Sequence, residues 1–210
     1  MTTFQDSSDS KSSSHRFELE ECGACCSESS GRQKSFLIPS ALNLGPITAT
    51  LVVGPEGEHV GPDGTSKSLG GQADFDWFVS VRRRAEVVLT SGKSYVDENY
   101  RAPANVELAV FSRTLTASDL APGVMLISEQ HATNFIEAVK HLQSLGFERI
   151  QCEFGPTGFL ALSAVPSVEA YLSSDKLSGL EIFTSRHGVD FELASSAELF
   201  IARIGSVAVH

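Results

Sequence analysis

The segment Arg149-Ile-Gln-Cys-Glu-Phe-Gly-Pro-Thr157 combines a strand, a sharp turn and the start of a helix. Residues 149–153 alternate apolar and polar side chains, as a strand does. Gly155 permits a sharp turn, and Pro156 suits a first helical position. A short helix is predicted after it, over residues 157–164. The first amides of such a helix lack intrahelical partners and attract negative charge. The segment therefore predicts either a phosphate or pyrophosphate site or an ordinary, well-capped strand-to-helix connection.

Composition limits the classes of protein and of partner. The chain has 210 residues, 41% of them hydrophobic, and a formal net charge of -10. This charge opposes general binding to nucleic acid or to anionic membranes, which need clustered positive potential. The sequence contains no run of about 18 apolar residues and no apolar signal-peptide core. We therefore predict a soluble, cytoplasmic protein that binds neither membrane nor nucleic acid.

The N-terminal residues differ in composition from the rest of the chain. Residues 1–34 are rich in Ser and charged side chains, and we predict a disordered or loosely docked arm. Residues 35–210 are predicted to form a single domain. The arm holds Cys22, Cys25 and Cys26, but a second pair of ligands for a metal ion is missing, so no metal site is predicted. Cys152 is interpreted as a buried core residue.

The remaining sequence alternates strand-like and helix-like segments. Apolar, β-rich runs predict strands at residues 47–53, 87–89, 106–111, 124–127 and 149–153. Helical spacing predicts a helix after residue 70, whose inward face comprises Phe75, Trp77, Phe78, Val81 and Ala85. Arg82, Arg83 and Arg84 are then mostly a solvated helix end, although one of them could reach a ligand. The alternation predicts a largely parallel sheet with helices on both faces and ligands beyond the carboxyl ends of its strands.

Two further strand ends carry polar side chains suited to phosphate. Gly92-Lys93-Ser94 follows one strand, but Val87 stands where a nucleoside-triphosphate loop needs glycine, which excludes that motif. Ser112-Arg113-Thr114 follows another strand and places a guanidinium fork between two hydroxyls. The alternative for this second group is a loop arginine in solvent. The sequence has no Gly-x-Gly-x-x-Gly and no Gly-x-Ser-x-Gly, and its histidines are scattered.

Together these strand ends resemble the pyrimidine reductase family of riboflavin biosynthesis, within the dihydrofolate reductase-like superfamily. The similarity runs from about residue 50 to residue 164 and includes Glu56-Gly57, the segment 70–89 and Glu153-Phe-Gly-Pro-Thr157. It implies an α/β fold with a mostly parallel central sheet flanked by helices and an antiparallel C-terminal addition. Strands are expected at residues 168–172, 180–184 and 199–204. The zinc deaminase that often precedes this reductase has no counterpart, since neither His-x-Glu nor Pro-Cys-x-x-Cys occurs.

The resemblance also implies a ligand and a reaction. The cofactor would be NADPH, and the chemistry would be hydride transfer to a small ribosylamino-pyrimidine. Glu98 is the candidate for substrate contact or proton management, with a solvent-exposed carboxylate as the alternative, and Glu56 and Glu153 are candidate substrate contacts. A homodimer built through the sheet is expected. The residues implied in cofactor binding are Gly92, Lys93, Ser94, Ser112, Arg113, Thr114, Phe154, Gly155, Pro156 and Thr157, with Ser112 and Arg113 at the adenosine 2′-phosphate.

Two positions depart from the family pattern. Phe154 replaces a glycine at which the cofactor approaches the backbone, and Lys93 with Ser94 replaces a Gly-Thr pair. The Phe154 side chain could point away from the ligand or narrow the site. Two hypotheses therefore stand: an NADPH-dependent reductase in riboflavin biosynthesis or a related pathway, and a catalytically degenerate paralogue that keeps the fold for ligand binding or assembly.

Overall fold

The computed structural model describes residues 42, 44–101, 104–196 and 199–205. The prediction for residues 1–34, including Cys22, Cys25 and Cys26, lies outside the described residues. The strands are β1 Ile47–Val52, β2 Val87–Ser91, β3 Glu107–Phe111, β4 Val124–Ile127, β5 Ile150–Glu153, β6 Val168–Ser174, β7 Phe191–Ser196 and β8 Phe200–Ile204. The α-helices are α1 Gly71–Arg82, α2 Gly92–Asp97, α3 Phe135–Ser144, α4 Pro156–Ser163 and α5 Leu177–His187. A short 3-10 helix spans Ala117–Asp119.

One sheet contains all of these strands, in the order β4-β3-β2-β5-β1-β6-β8-β7. The first six strands of this order pair in parallel, whereas β8 runs antiparallel to β6 and β7 antiparallel to β8. The predicted dihydrofolate reductase-like architecture, mostly parallel with an antiparallel C-terminal addition, is confirmed. Strands β3, β2 and β5 are neighbours, so their carboxyl ends lie side by side at one edge of the sheet.

Two apolar clusters hold helices against this sheet. The larger cluster joins Ile47 and Ala49 of β1 to buried side chains of α3, α4 and α5, among them Leu142, Phe159 and Leu180. The smaller cluster joins α1 to β6 and β8 through Trp77, Val81, Tyr171 and Ile201. Burial of parallel strands explains the continuous apolar runs at residues 87–89 of β2 and 108–111 of β3.

The C-terminal third departs from the sequence prediction. Residues 180–184, predicted as a strand, lie within α5. Leu180 and Phe183 are three residues apart and fully buried, which is a helical spacing. Gly188, at φ +63°, ends this helix in the left-handed conformation. Strand β7 was not predicted, because the polar Glu192 and Ser195 interrupt its apolar pattern.

The inward face of α1 was also wrongly predicted in part. Trp77 is 1% exposed and Val81 3%, but Phe75 is 59% exposed. Apolar character alone cannot distinguish these positions, since Phe75 and Phe78 share one side of a helix and Trp77 lies on another. Docking against the sheet buries the Trp77 side instead.

Gly179 lets α5 approach the turn that follows β1. A Cβ atom at this position would lie 2.2 Å from the Gly54 carbonyl oxygen and 2.7 Å from Ser174 Oγ. Gly to Ala within a helix normally stabilises by up to about 1 kcal/mol. We expect Gly179→Ala to reverse that sign and to lower the free energy of unfolding by about 1–3 kcal/mol, the usual range for overpacking.

Chemical denaturation of Gly179→Ala and of Ser178→Ala checks this expectation. Ser178 is exposed and donates one hydrogen bond to the Pro55 carbonyl at 3.1 Å, so its loss should change the free energy of unfolding by less than about 1 kcal/mol. A stabilised Gly179→Ala protein would show that α5 is free to move away from the turn.

Candidate active site

A cleft of about 440 Å³ lies at the carboxyl ends of β1, β2 and β5. Its walls come from the last residues of these strands, the loop between β1 and α1, the α2 segment and the start of α4. Carboxyl ends of parallel strands are where ligands bind in open α/β sheets. The predicted site residues are thus expected to lie at this cleft.

The turn between β5 and α4 forms one wall. Pro156 begins α4, and Gly155 precedes it in an extended conformation with φ −64° and ψ 178°. A Cβ atom at Gly155 would meet nothing within 4 Å, so there is open space in front of this backbone. Gly155, Pro156 and Thr157 all line the cleft, together with Gly158. The unpaired amides and partial positive charge of a helix N-terminus suit an anionic group here.

The Phe154 side chain belongs mainly to the core between α3 and α4. It is 4% exposed, and its ring centroid lies 4.7 Å from that of Phe135. Gly158 makes room for it, because a Cβ atom at Gly158 would lie 2.6 Å from Phe154 Cβ. Phe154 borders the cleft. Because its ring is buried in the core, the ring leaves the cleft almost as wide as a smaller side chain would.

The turn between β2 and α2 forms a second wall. Ser91 Oγ accepts a hydrogen bond from the Ser94 amide at 3.0 Å and thereby caps α2, a helix that the sequence did not predict. Lys93 and Ser94 line the cleft, and Lys93 forms an ion pair with Asp97. Gly92 is buried beneath this turn.

The strand end of β3 lies beside the cleft and contributes none of its lining residues. A Cβ atom at Gly92 would lie 2.6 Å from Ser112 Oγ, so Gly92 allows β2 and β3 to end close together. Ser112 Oγ accepts hydrogen bonds from the amides of Thr114 and Leu115, at 3.2 and 3.0 Å. It therefore holds a turn, while Arg113 and Thr114 are exposed next to it.

The predicted acidic residues occupy different environments. Glu98 lines the cleft, and its Oε1 accepts a hydrogen bond from the Ser66 amide at 2.7 Å. It thus ties the loop between β1 and α1 to the end of α2. Glu56 is exposed and is not among the lining residues; its carbonyl accepts a hydrogen bond from Arg186 Nη2 at 3.2 Å.

Glu153 is the centre of a polar cluster that the sequence did not indicate. Its carboxylate is 3% exposed and is gripped by the Arg82 fork, with Nε to Oε1 at 2.7 Å and Nη2 to Oε2 at 2.5 Å. The Tyr100 hydroxyl donates to Glu153 Oε2. The Arg82 guanidinium also lies 4.1 Å from the Phe78 ring centroid and 5.0 Å from that of Tyr100. We refer to Arg82, Glu153 and Tyr100 as the polar cluster.

This geometry corrects the interpretation of the triple arginine. Arg83 and Arg84 are exposed, as predicted, but Arg82 is turned inward and only 21% of its side chain is accessible. The four-residue spacing of Phe78 and Arg82, which stacks their side chains on one helix face, was the available signal. Nothing in the sequence showed that β5 would bring a carboxylate to that face.

The environment of the polar cluster shifts the ionisation of its members. Burial by itself lowers the pKa of Arg82, but the hydrogen bonds and charge of Glu153 outweigh it and raise that pKa. Burial, followed by repulsion from the Glu153 charge, raises the pKa of Tyr100 well above its usual value. Near neutral pH, Tyr100 is therefore a neutral phenol and Arg82 a permanent cation.

The described residues contain no group of three or more His, Cys, Asp or Glu side chains suited to a metal ion. Cys152 is fully buried within the larger apolar cluster, and burial raises the pKa of its thiol. Within the part of the chain that the structure covers, no helix is long and apolar enough to span a membrane.

Comparison with known proteins supports the fold. No family model and no curated protein sequence matches the chain. Among solved structures, a pyrimidine reductase-like protein from Corynebacterium diphtheriae matches with a TM-score of 0.57 and 17% identity, over 80% of this chain and 94% of that one. A diaminohydroxyphosphoribosylaminopyrimidine deaminase/5-amino-6-(5-phosphoribosylamino)uracil reductase from Thermotoga maritima matches with a TM-score of 0.54 and 14% identity, over 76% of this chain and 56% of that one. The chain therefore has the dihydrofolate reductase-like fold found in the pyrimidine reductases of riboflavin biosynthesis, as its sequence resemblance predicted.

Proposed function

We propose that this protein is an NADPH-dependent reductase that transfers hydride to a pyrimidine or pterin-like substrate, in riboflavin biosynthesis or a related pathway. The observation that carries the proposal is the convergence of the α4 N-terminus and the Lys93–Ser94 turn on one cleft. The fold similarity supports a reductase, and we propose that cofactor and substrate meet in this cleft.

The described residues fit a nicotinamide cofactor. Open space in front of Gly155 and the free amides of the α4 start suit its pyrophosphate. Lys93 is a nearby cation, and its ion pair with Asp97 is exposed and therefore weak enough to be exchanged for a phosphate. Arg113, exposed at the neighbouring strand end, is within our proposal the residue for an adenosine 2′-phosphate that extends beyond the cleft. When bound, the cofactor would supply the hydride, and the protein would orient the two reactants and exclude water.

Another part of the cleft lining suits a planar substrate. Phe78 and Tyr100 provide aromatic surface there, and Glu98 and Thr50 provide polar groups. Glu98 is the residue that we propose for substrate contact or proton management, since its carboxylate is held at the cleft by the Ser66 amide.

The degenerate paralogue remains the second candidate, and one observation favours it. Glu153, a predicted substrate contact, has its carboxylate engaged by Arg82 and Tyr100. A site whose carboxylate is hydrogen-bonded to other side chains of the protein could bind a ligand without converting it. The predicted homodimer and cytoplasmic location remain proposals for either candidate.

A thermal-shift titration with NADPH tests the proposed function. A ligand that binds only the native state adds about 2.7 kcal/mol of stability at a concentration of 100 Kd, and so raises the unfolding midpoint. We expect NADPH to raise the midpoint more than NADH at equal concentration. If millimolar NADPH does not shift the unfolding midpoint, NADPH is not the cofactor and the reductase proposal is wrong.

The variant Arg113→Ala locates the 2′-phosphate. Loss of the Arg113 side chain should weaken the binding of NADPH by about tenfold, or 1.4 kcal/mol. The binding of NADH should stay unchanged, because only NADPH carries the extra phosphate. Arg84→Ala is the matched control, because Arg84 is exposed, follows the C-terminal end of α1 and does not line the cleft. If Arg113→Ala weakens the binding of both nucleotides equally, Arg113 does not contact the 2′-phosphate.

A further inference from the structure

The polar cluster presents an unusual surface to the cleft because its two charges cancel. Arg82 and Glu153 are joined by two hydrogen bonds, so the pair has no net charge. An anionic ligand group gains little from such a pair, in contrast to what it gains at the α4 N-terminus. The cleft therefore offers an anion site at the α4 N-terminus and a surface without net charge at the Arg82–Glu153 pair.

The hydrogen bonds within the polar cluster decide which uncharged group fits. A tyrosine hydroxyl has one proton and two lone pairs, and the Tyr100 proton is directed at Glu153 Oε2. The group that Tyr100 can offer a ligand is consequently an acceptor, which recognises an N–H or O–H donor.

The aromatic rings define the shape of that ligand. Phe78 and Tyr100 both line the cleft, and both lie against the Arg82 guanidinium. Because the fork fixes the guanidinium on Glu153, the guanidinium in turn limits where the two rings can lie. A planar ring can pack against such rigid aromatic surfaces at little entropic cost.

We propose that Tyr100 contacts an N–H donor of an uncharged, planar heterocycle and that Arg82, through Glu153, is the positioning residue for Tyr100. This inference rests on the proposed function for the class of heterocycle, an aminopyrimidine. It assigns Glu153 to holding the site together. Because Asp97 is paired with Lys93, Glu98 is then the carboxylate of the cleft lining that can face the substrate.

Binding of 5,6-diaminouracil, measured by calorimetry on the full chain, tests the contact. Tyr100→Phe keeps the ring and removes the acceptor, and we expect about tenfold weaker binding. Tyr95→Phe is the matched control, because the Tyr95 hydroxyl accepts from the Ala121 amide at 2.9 Å and Tyr95 does not line the cleft. Tyr95→Phe should bind the pyrimidine as the native protein does.

The positioning role needs a readout other than affinity. With 3-fluorotyrosine incorporated, the three tyrosines give separate ¹⁹F NMR signals, assigned with Tyr→Phe variants. Arg82→Lys keeps the charge but loses the fork, so we expect the Tyr100 signal to move while the Tyr95 signal stays. The affinity of Arg82→Lys for the pyrimidine should also fall, whereas its NADPH-induced thermal shift should remain.

Each outcome distinguishes this inference from the proposed function. If Tyr100→Phe binds the pyrimidine as tightly as the native protein, or if the Tyr100 signal is unmoved in Arg82→Lys, the inference is wrong. If the native protein binds NADPH but no pyrimidine, the inference fails and the cofactor site survives. If it binds the pyrimidine through Tyr100 but no NADPH, the recognition site is supported and the reductase proposal fails.

Discussion

Replacing Arg82 by methionine is expected to lower the free energy of unfolding by about 3 kcal/mol, the lower end of the range for breaking a buried ion pair. The physical reason is the partner that remains. Glu153 is 3% exposed on its side chain, so without Arg82 its carboxylate would be buried with Tyr100 and no cation. The lower end of the range applies because Arg82 itself retains 21% of its accessibility.

Urea denaturation of three variants checks this expectation. Arg83→Met is the matched control, since Arg83 is the next residue on the chain and is exposed; its change should stay within about 0.5 kcal/mol. The double variant Arg82→Met/Glu153→Gln should recover part of the loss, because the unpaired charge is gone. If Arg82→Met were no less stable than Arg83→Met, the ion pair would not exist in solution.

Phe154→Ala is expected to cost about 3–5 kcal/mol, as is usual for removing a buried phenylalanine. The ring is 4% exposed and packs against Phe135, which in turn contacts Phe111 of β3 at 5.4 Å between ring centroids. Its loss would leave a cavity between α3, α4 and the sheet. Gly158 cannot fill that cavity, since it has no side chain.

The same denaturation measurement on Phe75→Ala provides the control. Phe75 is 59% exposed, so its truncation should change the free energy of unfolding by no more than about 0.5–1 kcal/mol. Native-like NADPH affinity in Phe154→Ala, at a temperature where it is folded, would show that the cofactor uses the backbone of the turn. A Phe154→Ala protein as stable as Phe75→Ala would contradict the burial of the ring.

The strand ends show how far the sequence could predict this site. The Gly155-Pro156-Thr157 turn was found because glycine and proline have local conformational meaning, which does not depend on the rest of the chain. Placing Lys93 and Ser94 in the same cleft followed from the rule for parallel sheets. The rule does not say how deep each end lies, and so Ser112 and Arg113 were expected in a cleft that they only adjoin.

The polar cluster shows what the sequence could not predict. Arg82 and Glu153 are 71 residues apart, and Tyr100 and Glu153 are 53 apart. Each residue alone has an ordinary explanation as a helix end, a strand end or a loop residue. Similarly, residues 180–184 are short and apolar enough for a strand, and only packing against the sheet selects the helix.

The sequence by itself determined strands β1 to β5, helices α1 and α4, the glycine-proline turn after β5 and the resemblance that predicted the fold, because these depend on local conformational preferences and hydrophobic period. The tertiary structure decided which side of α1 is buried, where the Phe154 ring lies and that Glu153 is paired with Arg82. Those outcomes depend on which elements meet across the sheet. Their physical reason is that buried charge and buried volume must be matched by partners from distant parts of the chain.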